Sequence, residues 1–244
     1  TSSASSCLAS CCWRSDGISV GSPIIAGNVV LERECGGPGP GYNARMGRSL
    51  LPASLRVNAT VAPSARPLTA CTERQLHAGL TQACASDDGL LGAHCIHELW
   101  MRGEMGVNID AALGQLWRHA ADGIPDWLPM RHIDWLAAVY EVSARICAAA
   151  TGRHNIYLVL LDYSDSRTEP YGIYVGMSHY SPARRFDQHK AGIRAAGSVL
   201  RRGLEVLTGP TRHLQHIARA EAARIESQLA EALRAAGLFV QGGH

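Results

Sequence analysis

The sequence predicts an α+β fold: a small three-stranded antiparallel sheet flanked by helices, preceded by a helical segment and a flexible N-terminal leader. Three observations carry this. The hydrophobic period changes from helical to strand-like near residue 155. Two short apolar runs, 156–161 and 172–178, are separated by a polar connection. A long Ala/Leu/Arg/Glu stretch at 212–236 is closed by a glycine and a last short apolar run.

Taken in order, residues 1–66 are rich in Ser, Gly, Pro and Cys and include GGPGPG at 36–41. They hold no sustained period beyond an apolar patch near Ile24–Leu31, so a disordered leader is expected. From about Thr72 to Ala150 the pattern is helical, punctuated by Trp100, Trp117, Trp127 and Trp135, with turns at Asp87-Asp88-Gly89 and Gly123-Ile124-Pro125. Residues 72–150 are read as a helical accessory segment. Within it, 132–150 aligns Ile133, Leu136, Val139, Tyr140 and Ile146 on one side, with Asp134 placed to cap the start.

Ile156–Leu161 is a run of six apolar residues between polar ones and reads as a strand buried on both faces. The connection 162–170 (DYSDSRTEP) is polar and turn-forming, and Gly172–Ser178 is the second strand of an antiparallel hairpin. Ser181-Pro182 starts a helix as cap and first-turn proline, running to about Ala196. A helix over 212–236 ends with Gly237 at C′, and Leu238–Gln241 is the third strand.

The bulk numbers suit a globular chain: 244 residues, 46% hydrophobic and 18% charged, with a formal net charge of +2. The charge is unevenly placed. Residues 151–244 carry 12 Arg/Lys against 8 Asp/Glu, whereas residues 1–150 carry 11 against 13. The basic excess lies with the sheet-forming half, which suits a polyanionic partner. There is no apolar run of about 18 residues, so no membrane partner is expected. No secretory n-region and h-region are evident, and the eight cysteines are expected as reduced thiols, so a cytoplasmic location is anticipated.

Several side chains could carry chemistry. On the second strand Tyr174 and Gly176 share one face, and Gly176 leaves room for a ligand backbone. Tyr157 is the aromatic of the first strand, and its hydroxyl can project to the same side. Arg185 and His189 are i and i+4 on the following helix, with Arg184 and Lys190 about a quarter turn away. Lys190 is the single lysine in the chain, so the basic face is otherwise arginine, the better bidentate phosphate ligand. Glu226 lies at the margin of the stripe formed by Ile225, Leu229, Ala232, Leu233 and Ala236, where an inward-tipped carboxylate needs a metal ion or an arginine. Each of these residues also has a plain reading: a half-buried core aromatic, a solvated helix face, a surface glutamate. His94, Cys95 and His97, with Cys84, could form a zinc site, although their spacing matches no standard pair. No Walker or dinucleotide glycine motif is present, so no organic cofactor is expected.

Together these pieces resemble the GIY-YIG nuclease superfamily. IYL at 156–158 stands at the first signature, with Asn155 in place of its initial glycine. Tyr174-Val175-Gly176 stands at the second. ARRFDQHKAG (183–192) is similar to the family's helix, and ARIESQLAEALRAAGLFVQGG (223–243) to its closing helix and strand. The resemblance covers about 155–243, and the inter-strand loop is longer than the family's usual one. It implies a nuclease domain over 155–243: a metal-dependent endonuclease cutting DNA phosphodiesters through a single Mg2+ or Mn2+ held by Glu226. Arg185 would stabilise phosphoryl charge. Tyr174 or Tyr157 would position or deprotonate water, with His189 as proton acceptor or phosphate contact. Arg184, Lys190 and Gly176 would lie against the nucleic acid. The alternatives are a nucleic-acid-binding module of the same fold without turnover, and a zinc-held helical adaptor.

Overall fold

A computed structural model describes residues 57 and 59–243. Most of the expected leader lies outside the described residues. Its last part is ordered: Pro63–Ala65 form a 3-10 turn, and the Arg66 guanidinium reaches Glu98 at 2.7 Å.

The helical segment is three helices and a shorter fourth: α1 (Glu73–Ala85), α2 (Gly89–Met101), α3 (Gly106–Ala120) and α4 (Leu136–Ala144). Thr72 caps α1 in a reciprocal box with Gln75, and the Asp88 side chain caps α2 through the Leu91 amide at 2.9 Å. The fourth helix is half the length that its periodicity predicts, and Asp134 does not cap it; Trp135 stands at its N-cap without a side-chain bond. Asp134 instead approaches His132 at 3.3 Å. At the far end, the carbonyls of Ser143 and Ile146 both face Nε2 of His213, each at 3.1 Å. A helix whose last carbonyls meet a side chain has no need to continue.

Next come β1 (Asn155–Asp162), β2 (Tyr171–Ser178), α5 (Pro182–Lys190), α6 (Gly197–Arg202), β3 (Gly203–Val206), α7 (Thr208–Thr211), α8 (Arg219–Ala235) and β4 (Val240–Gly242). The sheet has four strands in the order β3-β1-β2-β4. β1 pairs antiparallel with β2 and β3, and β4 runs parallel to β2. The general class is as expected, but the three-stranded, wholly antiparallel sheet is corrected on two points. The four-residue β3 emerges directly from α6 without a turn signal. β4 returns from α8 alongside β2 in the same direction, and a hydrophobic period does not encode direction.

Two predicted helices are also shorter. α5 stops at Lys190 because Gly192, at φ +78, closes a Schellman motif: the Ile193 amide donates to Gln188 and the Gly192 amide to His189. Residues 212–218, expected as the start of α8, form a strap instead. His216 takes φ +59, and Ile217 pairs with His154 at the mouth of β1. The predicted C′ role of Gly237 holds, with the Leu238 amide donating to Leu233.

Both faces of β1 are buried, as its apolar run requires. Ile156, Leu158, Leu160, Ile173 and Val175 lie in one core with Ile225, Leu229 and Leu233 of α8. That core is continuous with Ile96, Leu116 and Val139 of the helical segment, so strand hairpin and helical segment share their apolar interior. The other face holds Tyr157, Val159 and Leu161 under Val199 and Phe186 of the α5–α6 layer. No helix among the described residues is long and apolar enough to cross a membrane. Cys71, Cys84, Cys95 and Cys147 are free thiols.

Candidate active site on the tyrosine face of the sheet

The β1–β2 register sets Tyr157 opposite Gly176 and Val159 opposite Tyr174. Directly opposed residues share a face, so both tyrosines rise on the same side as diagonal neighbours, with ring centroids 6.0 Å apart. The space beside Gly176 belongs to these rings rather than to a ligand. A Cβ there would lie 2.6 Å from the Tyr157 ring carbon and hydroxyl and 2.7 Å from the Tyr174 ring. Gly176 is thus what lets the two phenols approach one another, and the expected room for a ligand backbone is already filled.

α5 carries the next groups. Ser181 accepts from the Arg184 amide at 3.4 Å and Pro182 occupies the first turn, as the sequence predicts. Arg185 and His189 then fall one turn apart on the side facing the sheet. His189 is 1% exposed. Its Nδ1 accepts the Ala196 amide at 2.9 Å, so in the neutral ring the proton sits on Nε2, which faces the Tyr157 hydroxyl at 2.9 Å. Burial, and secondarily the Arg185 charge, push the imidazole down to about 4. Both nitrogens are engaged inside the protein, and His189 orients Tyr157.

Tyr157 is 1% exposed, and burial drives its phenol far above the ordinary range, with the neighbouring Tyr174 adding to the shift. Since it receives a proton from His189, Tyr157 is left to donate its own. Tyr174 is half-buried and gains from that donor: burial raises its phenol, the Tyr157 hydroxyl pulls it back, Glu226 raises it and Arg185 lowers it. The Tyr174 phenol therefore responds to Tyr157, Glu226 and Arg185.

The Arg185 guanidinium is held at 3.2 Å by Gln188 Oε1, at 3.2 Å by the Ile193 carbonyl and at 2.8 Å by the Arg194 carbonyl. All three acceptors are neutral, so these bonds fix its direction without cancelling its charge. Glu226 comes from α8, whose apolar stripe packs under the opposite face of the sheet. The half-buried Glu226 sits at the margin of that stripe, and its charge is felt at Tyr174. The chain end passes between them. Gly242 lies against the Tyr174 ring, and Gly243 against Ala230 and the Glu226 carbonyl. Both glycines have positive φ, and no side chain would fit either place. Gln241, Gly242 and Gly243 are the neighbours that sequence reasoning missed; the Gly-Gly pair after a strand is their visible signal.

A cleft of about 700 Å3 opens beside Arg185, lined also by Arg194, Arg219, Gln188, His154 and Tyr180. None of its lining residues is acidic. Lys190 is not part of it: its Nζ is tied to the carbonyls of Leu200 at 3.3 Å and Gly203 at 3.1 Å. Arg184 lies over the Tyr180 ring at 4.7 Å. Asn155, where the family resemblance has glycine, ties the β2–α5 loop to the 212–218 strap. Its Nδ2 donates to the Tyr180 carbonyl at 2.9 Å, and its Oδ1 accepts the His216 amide at 3.0 Å.

Of these residues Glu226 alone offers a carboxylate oxygen, the ligand type that Mg2+ takes, commonly one or two carboxylates with water and substrate oxygens. The zinc reading of the HCIH stretch does not survive. His94, Cys95 and His97 are buried in the core of α2, where His94 packs on Trp127 at 4.8 Å and His97 on Tyr140 at 4.9 Å. Among the described residues the group with three metal-capable side chains is Glu73, His77 and Glu104, on α1 and the α2–α3 connection rather than on the sheet.

No protein-family model, no curated protein and no solved structure matches the chain.

Proposed function

We propose that this chain is a metal-dependent endonuclease of the GIY-YIG type that hydrolyses DNA phosphodiester bonds. The observation that supports it is the grouping of two phenols and an imidazole on one face of the β1–β2 hairpin: the Tyr174 ring lies 6.0 Å from that of Tyr157 and 5.9 Å from that of His189, Tyr157 is bonded to His189, and the charges of Arg185 and Glu226 act on the Tyr174 phenol. An arginine-lined cleft without carboxylates opens at Arg185, which suits a nucleic-acid backbone.

On this reading the Arg185 guanidinium takes a non-bridging oxygen of the scissile phosphate and balances its charge as the phosphorus becomes five-coordinate. Tyr174 holds the attacking water. Tyr174 first gives its own proton to solvent; as the water oxygen bonds to phosphorus and one P–O ester bond breaks, the water proton passes to the Tyr174 phenolate, and the departing alkoxide takes a proton from solvent. Tyr157 stays neutral and donates to Tyr174, which stabilises the phenolate form that accepts the proton. Glu226 would hold Mg2+ or Mn2+, which supplies Lewis acidity at the phosphate and charge compensation for the leaving oxygen. His189 acts through Tyr157 as a positioning residue.

The test is supercoiled plasmid incubated with the full chain in Mg2+ and, separately, in EDTA. Nicked and linear products in Mg2+ alone are expected. Plasmid that stays intact in Mg2+ yet is retarded on a gel would favour the non-catalytic binding module instead.

A further inference from the structure

The cleft beside Arg185 has a feature that phosphodiester chemistry leaves unused: an aromatic wall. His179 and Tyr180 follow β2 directly, and their rings pack together with centroids 3.9 Å apart and planes tilted by 39°. The Arg184 guanidinium lies over the same phenol at 4.7 Å. The Tyr180 backbone is anchored at both ends. The Tyr180 amide donates to Ser178 Oγ at 3.0 Å, and its carbonyl accepts from Asn155 at 2.9 Å. His179 is exposed, with the ring of His154, another lining residue of the cleft, set edge-on to it at 6.3 Å. Arg194 and Arg219, also exposed, line the same cleft.

A duplex keeps the faces of its bases inside its own stack and offers a protein its backbone and groove edges. An unpaired nucleotide offers a bare π face together with its phosphate. Cations alone would suit either partner. An exposed aromatic pair beside those cations suits the unpaired one, because stacking is sequence-tolerant and is lost when the base is paired. The volume of about 700 Å3 leaves room for a nucleoside and its phosphate.

We infer that the cleft between the β2–α5 loop and Arg219 binds an unpaired nucleotide adjoining the scissile phosphate, its base on the His179–Tyr180 pile and its phosphate on Arg194 and Arg219. This deepens the nuclease reading and rests on it for the scissile phosphate, since Arg185 lines the cleft and serves the chemistry. The substrate class that follows is DNA with single-stranded tails, flaps or bubbles rather than uninterrupted duplex.

The test measures binding by fluorescence anisotropy with the full chain in EDTA, so that cutting plays no part. The probes are a labelled DNA duplex with a short single-stranded tail, the same duplex blunt, and the same tail built of abasic nucleotides. The tailed duplex is expected to bind about tenfold or more tighter than the blunt one. The abasic tail, which keeps every phosphate, is expected to lose most of that gain. His179→Ala and Tyr180→Leu should pull the tailed-to-blunt ratio toward one. A ribonucleotide tail bound as well as the DNA tail supports the stacking subsite and widens its ligand to single strands of either sugar. Equal affinity for tailed and blunt duplex, or full affinity for the abasic tail, overturns the subsite while leaving the nuclease reading standing. Failure to bind any of the probes overturns both.

Discussion

The Tyr157 hydroxyl lies 2.9 Å from Nε2 of His189, and the opposite ring nitrogen of that histidine accepts the Ala196 amide at 2.9 Å. The loop after α5 thereby dictates the tautomer of a buried imidazole, and the imidazole dictates which way a buried phenol points. His189→Ala would remove the partner of the Ala196 amide and one partner of the Tyr157 hydroxyl, and open a void. The expected loss of stability is ~2–4 kcal/mol. His189→Gln, which can still donate to Tyr157, should recover about half of that. Denaturant melts of the three proteins check the order, and a stability unchanged by the alanine would refute the bonded geometry.

The two phenols are predicted to behave differently. Burial raises both, Tyr157 more steeply, so neither is ionised at neutral pH. If Tyr174 is the base, log kcat/KM should rise with pH with a slope of about one from pH 7 to 9 and show no plateau there. Tyr174→Phe should cost ~10²-fold or more in kcat and remove the slope; Tyr157→Phe should cost less and keep it. A plateau beginning near pH 7 in the unaltered protein would assign the base to another group.

Gly176→Ala is a small change with a large expected effect. The added methyl would collide with both tyrosine rings, at 2.6 and 2.7 Å. Overpacking of this kind costs ~1–3 kcal/mol, and the rings that must move are those proposed to hold the water. Cleavage should fall by ~10²-fold or more while anisotropy still reports DNA binding. Full cleavage by this variant would show that the placement of the phenols does not matter.

Three buried histidines give the fold an acid limit. His94, His97 and His189 are each pushed from 6.5 to about 4, with burial the leading cause. No hydrogen-bond partner meets either nitrogen of His94 or Nε2 of His97 among the described residues. Such groups are neutral when folded and take up a proton on unfolding between pH 6.5 and 4. Their stabilising contribution is complete above about pH 6.5, falls as the pH drops through that window, and is lost below about 4. Each should add up to ~1.4 kcal/mol per pH unit to the slope. Urea melts at half-unit steps would show the fall. His94→Leu should flatten it by one proton, and a curve level down to pH 4 would contradict the assignment.

How far the sequence carried the fold depends on what each signal encodes. Alternation and apolar runs placed β1 and β2, and with them Tyr157, Gly176 and Tyr174 on one face. The Ser181-Pro182 cap phased α5, which put Arg185 and His189 together. What did not show was tertiary in origin. β3 is four residues long and is defined by its pairing with β1, and β4 takes its parallel direction from the path of α8. Residues 212–218 have helical composition, yet they are drawn into a strap by the Ile217–His154 bridge and the Asn155–His216 bond. The charge of Lys190 was legible, but the carbonyls of Leu200 and Gly203 that hold it away from the cleft were not. Nor was the aromatic wall, whose members become neighbours of Arg194 and Arg219 only when the strap and the β2–α5 loop close around Asn155.

The most direct measurement is Glu226→Gln assayed beside the unaltered chain for both cutting and binding of one labelled, tailed DNA, with Mg2+ present. Glutamine keeps the size of the side chain and removes its charge. The account predicts cleavage lowered by ~10³-fold or more with DNA affinity within about threefold of the original. Cleavage that persists in the glutamine protein would contradict it.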